Sequence, residues 1–257
     1  DEFKDFNIDF LIFSKIIFDR FPDDISNGND KADLYYLIAQ FKSKAQIPTG
    51  LTNQTRFDNR LFGELTGRLR EIKTDEELTL IRKAVEISCQ GQNEVMKAVT
   101  PSMSELEIQG LHEFVHKKYG AEGVGYGSII GSGENGCILH YMENTKTKVG
   151  TSMILMDVGA EYHGYTADVT RTVPVDGKYS TEERAIYQLV YDAQEAAFAI
   201  LKEGAKWADA SKAAQDVIAE GLVNLGIIKD KKDVRKYYPH GLSHHIGLDV
   251  HDIGFSR

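Results

Sequence analysis

Residues 153–175, MILMDVGAEYHGYTADVTRTVPV, carry the pattern that decides the fold of this chain. MILMDV is an apolar run of strand length, and GYTADVTRTVPV is its natural partner across a hairpin. A turn at Tyr162 and His163 sets Asp157 opposite Asp168, and directly opposed residues share one face of a hairpin. Two carboxylates that close repel, so one stays protonated unless a cation compensates both. A divalent metal, or a pair of them, is the simplest compensation. The plain alternative is two ordinary acids near a loop, one of them paired with Arg171.

The stretch HGLSHHIGLDVHD at 240–252 supplies more donors, with His240, His244 and His251 spaced along it. Neutral imidazole together with carboxylate suits Zn, Mn, Fe or Co, whereas Ca and Mg prefer oxygen alone. Pro239, Gly241 and Gly247 argue against a helix here, and in an extended segment His245 points away from His244. A fourth histidine, His140, lies in CILHY, which reads as a strand. His112, His116 and His163 read as surface or structural residues. A single histidine in such surroundings is usually structural; four apolar-flanked ones beside two aspartates favour a metal site.

Helical periodicity is clear from about Leu69. Thr74 with Glu77 forms a capping box ahead of Leu78, Ile81 and Val85. Ser102 with Glu105 opens a second helix through Leu106, Leu111, Phe114 and Val115, stopped near Gly120. Ser180 with Glu183 opens a third, closed by Gly204, and a fourth runs from near Asp209 to Leu225. Residues 1–68 read differently. An apolar piece at Phe10–Phe13, the polar DDISNGND, the apolar LYYLIAQF and a loop around Pro48 and Gly50 suggest part of a small domain.

Composition narrows the function. A formal net charge of −9 disfavours nucleic acid as a partner, because phosphate binding wants clustered Lys and Arg. No run approaches the ~18 apolar residues of a membrane span. Cys89 and Cys137 form no metal spacing and read as reduced and structural, which fits a cytoplasmic protein.

DVGAEYHGYTADVTRT, GSGENGCILHYMEN and HGLSHHIGLDVHD together resemble the motifs of the metallopeptidases with the pita-bread fold, above all the Xaa-Pro aminopeptidase (aminopeptidase P) and prolidase family. The resemblance covers roughly Leu69 to Arg257. It implies an α+β pita-bread domain (creatinase/aminopeptidase fold) at 69–257, lacking its C-terminal end, preceded at 1–68 by part of a smaller N-terminal α/β creatinase-like domain and a linker. It implies Asp157, Asp168 and His244 as metal ligands, His140 and His251 as catalytic histidines near the scissile bond, and His240 as a substrate-binding residue. The implied cofactor is two divalent metal ions, commonly Mn, with Zn, Co or Fe as alternatives. The implied activity is hydrolysis of the bond between an N-terminal residue and a following proline, by a metal-bridged hydroxide. A peptide with proline second is the implied partner, and a homodimer is a further expectation. Prolidase, which cuts X-Pro dipeptides, and an inactive peptide-binding pita-bread module are the alternatives. Two further glutamate ligands are expected beyond the HGLSH segment, and Arg257 ends the sequence before them. The chain alone is therefore expected to bind metal weakly and to be inactive.

Overall fold

The structure, a computed structural model, describes residues 59–255. The strand-like Phe10–Phe13 piece, LYYLIAQF and the Pro48–Gly50 loop lie outside them. The chain parts into two units between Leu69 and Arg70, and the second carries both sheets. Among the described residues no helix is long and apolar enough to cross a membrane.

Helix α1 (Asn59–Glu71) occupies sequence that reads as linker. Leu61, Leu65 and Leu69 recur every four residues, but Gly63 and Gly67 each cost about 1 kcal/mol of helix propensity relative to Ala and mask the pattern. Helix α2 (Asp75–Ala98) begins where expected. Thr74 accepts from the Glu77 N–H, and the Glu77 carboxylate accepts from the Thr74 N–H at 2.7 Å. Its buried face runs through Ala84, Ile87, Ser88, Gly91, Gln92 and Val95, the spacing of one helical stripe.

Helix α3 (Glu105–Lys118) starts two residues later than Ser102–Glu105 would place it. Ser104 and Glu107 make the capping box, and Glu105 turns inward instead. There its carboxylate accepts from the Ser132 N–H and hydroxyl, each at 2.8 Å, from the Tyr141 phenol at 2.8 Å and from the Lys146 N–H at 2.9 Å. Both serines satisfy the S-x-x-E pattern, so the tertiary demand on Glu105 decides between them.

The strands form two three-stranded antiparallel sheets. One is ordered β2 (Ile129–Ser132), β3 (Met153–Val158), β6 (Val169–Pro174); the other β1 (Gly123–Val124), β4 (Ala160–Tyr162), β5 (Tyr165–Thr166). Strands β3–β4 and β5–β6 are the two arms of one hairpin that bends between the sheets at Gly159. Its turn falls on His163 and Gly164, one residue later than a turn at Tyr162 and His163. Both have positive φ, 51° and 80°, as a two-residue hairpin loop of the favoured twist requires. A turn one residue earlier would force Tyr162 into that left-handed region. The shift moves the register by two, so Asp157 faces Thr170 rather than Asp168. At the bend, a Cβ on Gly159 would collide with the Ala167 carbonyl, so only glycine fits.

Alternation along β3 buries Ile154, Met156 and Val158 against Val95, Ile108 and Ile130, and sends Asp157 to the opposite face. Beyond the sheets, α4 (Thr181–Ile200) and α5 (Trp207–Asn224) pack through Ala193, Ala197, Ala210 and Ala214. CILHY is not a strand. A 3-10 turn at Gly133–Cys137 leads into it, and His140 takes a left-handed φ of 56° that breaks extended geometry.

His112 and His116 are fully buried on α3. Burial, with the neighbouring His116 adding to it, pushes His112 down to about 3, and burial likewise lowers His116. Glu105 also departs from its ordinary 4.5. Burial raises it, but the hydrogen bonds from Ser132, Lys146 and Tyr141 outweigh burial and hold it below.

These shifts set two acid-sensitive ranges. An unfolded histidine takes up a proton below about 6.5 that folded His112 refuses, so stability falls by up to about 1.4 kcal/mol per pH unit from there toward pH 3. The Glu105 contribution is whole above 4.5 and is lost as pH falls from there toward the lowered folded value. Urea unfolding of the metal-free protein from pH 7.5 to 3.5 is expected to show both. His112→Leu should reduce the slope below 6.5, with His116 supplying the remainder, and Glu105→Gln should flatten the range below 4.5. A wild-type stability that stays level between pH 6.5 and 5 contradicts the neutral buried histidine.

Candidate metal centre

Asp157 leaves β3 on the face away from the core, and Asp168 sits at the foot of β6, beside the bend. The register makes them diagonal rather than opposed, yet the same side chain reaches both. Tyr126, between β1 and β2, donates its phenol proton to Asp157 Oδ1 and lies 3.1 Å from Asp168 Oδ1. One phenol proton cannot serve two carboxylates. Burial, opposed by the Tyr126 bond and reinforced by the Asp168 charge, raises the Asp157 carboxyl above its ordinary value. Burial and then the Asp157 carboxylate push the Tyr126 phenol upward in turn. Two carboxylates gathered on one phenol proton make concentrated negative charge the defining property of the site. Arg171 does not offset it at Asp168; it donates to the carbonyl of Thr170 at 2.7 Å.

His244 approaches from the 240–252 segment. Its Nε2 is 3.1 Å from Asp168 Oδ2, and its Nδ1 is 2.9 Å from the His245 carbonyl. A carbonyl only accepts, so Nδ1 carries the proton, and neutral imidazole then turns a lone pair toward the carboxylate. That contact is repulsive unless a second proton or a cation joins it. Donors 3.1 Å apart have the spacing of two adjacent ligands, each about 2.1 Å from one ion. Among the described residues, no three His, Cys, Asp or Glu side chains already form a closed cluster. The convergence is pairwise, and its chemistry fits a divalent cation.

The remaining histidines divide. The His251 ring lies 4.1 Å from the His244 ring. His140 and His240 meet edge to face at 6.0 Å and form a separate pair. His245 turns away from His244, as expected, and stacks on Trp207 at 5.7 Å. His163 contacts Glu122 at 2.8 Å.

The 240–252 segment is irregular, so side-chain and backbone contacts fix it. Thr166 N–H donates to the Gly247 carbonyl at 2.9 Å, and Asp252 N–H to the His245 carbonyl at 3.0 Å. The Asp252 side chain, 2% exposed, is held by Arg70 and by Lys73, the latter at 3.0 Å. Arg70 also reaches Asp249 at 2.7 Å. Sequence reading missed Tyr126 and Asp252. Tyr126 stood out only as an aromatic residue among glycines, and Asp252 only by adjoining His251.

The sequence pattern of metallopeptidase family M24 matches residues 79–256. The chain belongs to that family. Among curated M24 relatives, it is 38% identical over 195 residues to the Xaa-Pro aminopeptidase of Escherichia coli (strain K12), across 72% of this chain and 44% of that protein. Among solved structures, proline aminopeptidase P II from Yersinia pestis aligns with a TM-score of 0.70 and 36% identity, over 75% of this chain and 45% of its own. Zinc-substituted Escherichia coli aminopeptidase P in complex with product aligns with a TM-score of 0.72 and 33% identity, over 90% and 53%. The M24 chain described here therefore spans about half the length of the curated relatives it matches. Its architecture is the pita-bread fold that the motifs imply.

Removing Asp252 would leave the nearly enclosed Lys73 without its carboxylate and Arg70 with Asp249 alone, and breaking such a pair from one side costs about 3 kcal/mol or more. Asp252→Ala is expected to lose that much stability in urea and to speed amide exchange at residues 244–252, leaving α4 and α5 protected. Unchanged exchange in that segment contradicts the clamp.

Proposed function

We propose that this M24 chain is the metal-binding core of an aminopeptidase that releases the first residue from peptides with proline second. The observation that carries the reading is His244, whose Nε2 lies 3.1 Å from Asp168 Oδ2 while its Nδ1 meets a backbone carbonyl at 2.9 Å. Asp157, Asp168 and His244 would hold divalent cations, two in number and Mn by preference. When bound, the cations supply an acidified water and a charge that polarises the peptide carbonyl.

The chain's own residues do the rest. Tyr126 orients both carboxylates and keeps its proton. His251, against the His244 ring, would donate a hydrogen bond to the oxygen of the attacked carbonyl, the role that its place in the motif suggests. A bond to proline is a tertiary amide whose nitrogen must take up a proton as it leaves, and His140 is positioned by the motif to supply it. His240, edge to face with His140, would contact the bound peptide, as its place in the motif suggests. The names of the relatives, Xaa-Pro aminopeptidase and aminopeptidase P, support the choice of substrate.

The test is to load the full-length protein with Mn and assay Xaa-Pro peptides for release of the first residue. Asp157→Asn, Asp168→Asn and His244→Ala should each lower kcat/KM at least a hundredfold, since even groups that only orient ligands cost roughly 10- to 100-fold. Acid must strip the metal, because imidazole and carboxylate bind only when unprotonated, so metal content should fall as pH drops from 7 toward 4. A folded, Mn-loaded protein that leaves the X-Pro bond intact overturns the proposal.

A further inference from the structure

Helix α2 meets the bend in the hairpin with two buried polar side chains, one turn apart. The Ser88 hydroxyl accepts from the Ala160 N–H at 2.9 Å and donates to the Ala84 carbonyl at 2.9 Å. Gln92, 2% exposed, places its amide nitrogen 2.8 Å from the Met156 carbonyl and 2.9 Å from the Val169 carbonyl. Met156 immediately precedes Asp157, and Val169 immediately follows Asp168. One side-chain NH2 therefore spans the two arms of the hairpin at the residues adjoining both carboxylates.

We propose that Gln92 is a positioning residue for the carboxylate pair, its two amide protons fixing the separation at which Asp157 and Asp168 address the same cations. The inference rests on the metal reading above. Gln92's amide orientation is forced, because a flip would set its oxygen against two carbonyl oxygens. The same amide oxygen is buried without a hydrogen-bond partner among the described residues. A side chain present only to fill space would be apolar, as Ala84, Ile87 and Val95 are on the same face. Leaving a buried acceptor unpaired is unfavourable, and the compensating gain is the double donor. The diagonal relation of Asp157 and Asp168 makes such a brace necessary. They are not direct cross-strand partners, so slight sliding or splaying at the bend would change their spacing without breaking a ladder pair between them.

The test compares wild type, Gln92→Met and Ser88→Ala in the full-length protein. Methionine keeps the length and removes the donors; Ser88→Ala removes the neighbouring bond but leaves both carbonyls bridged. In calorimetric titrations with Mn(II), Gln92→Met should weaken association about tenfold or more, while Ser88→Ala, at a comparable thermal midpoint, stays within about twofold. In metal-free protein, amide exchange should accelerate at residues 156–158 and 168–170 for Gln92→Met, and around Ala160 for Ser88→Ala. Wild-type affinity in Gln92→Met, or equal weakening by Ser88→Ala, overturns the assignment. Absence of Mn binding by wild type defeats the metal reading instead, and the exchange experiment then decides alone, with unchanged protection in Gln92→Met refuting the brace. Should Gln92→Met not fold, Gln92→Asn, one methylene too short to reach both carbonyls, takes its place with the same expected pattern.

Discussion

The constraint on which the rest depends is the meeting of two carboxylates at the bend of a single hairpin. Gly159 allows the hairpin to pass from one sheet to the other, since a side chain there would strike the Ala167 carbonyl. The bend exposes Asp157 and Asp168 to Tyr126 on one side and His244 on the other. Everything near the site answers the resulting charge. The phenol can give its proton to one carboxylate only, the imidazole meets Asp168 at 3.1 Å, and Arg171 is turned elsewhere. A protein interior tolerates such an arrangement when a cation completes it.

Two kinds of buried polar group lie within a few residues of each other on α3, and they solve opposite problems. Glu105 stays ionised because five hydrogen-bond donors from Ser132, Asn135, Tyr141 and Lys146 replace its water. His112 and His116 find no such company and remain neutral. The carboxylate pins the glycine-rich stretch that leads to His140, while the histidines fill the core behind β3. The same helix thus fixes one side of the site by charge and the other by packing.

Much of this was legible in the sequence, and the failures have physical causes. Three helices announced themselves through capping boxes, though the second was ambiguous because Ser102–Glu105 and Ser104–Glu107 both fit. Only the tertiary role of Glu105 separates them. The hairpin was plain, but its register hung on a turn that one residue of φ preference moves. Asp157 and Asp168 still share Tyr126, and Asp168 still meets His244, because these contacts run through side chains that reach across the diagonal. Helix α1 was hidden by two glycines. His140 looked like a strand residue because it follows the short apolar run Cys137–Leu139, and a left-handed φ is not written in hydropathy. Tyr126 and Gln92 act through groups whose partners lie far along the chain, and a single sequence gives no spacing to reveal them.

Lys73 and Asp252, whose contact fastens the His244 segment, are 179 residues apart. The two carboxylates, by contrast, lie on one hairpin. Closing a short loop is fast and entropically mild, while closing a long one waits for the intervening chain to condense. The two carboxylates therefore need only a short loop to meet, whereas the imidazole reaches Asp168 across a separation of 76 residues. The third donor is thereby tied to the packing of α4 and α5, which separate Asp168 from His244 in sequence and against whose alanines Leu242 rests.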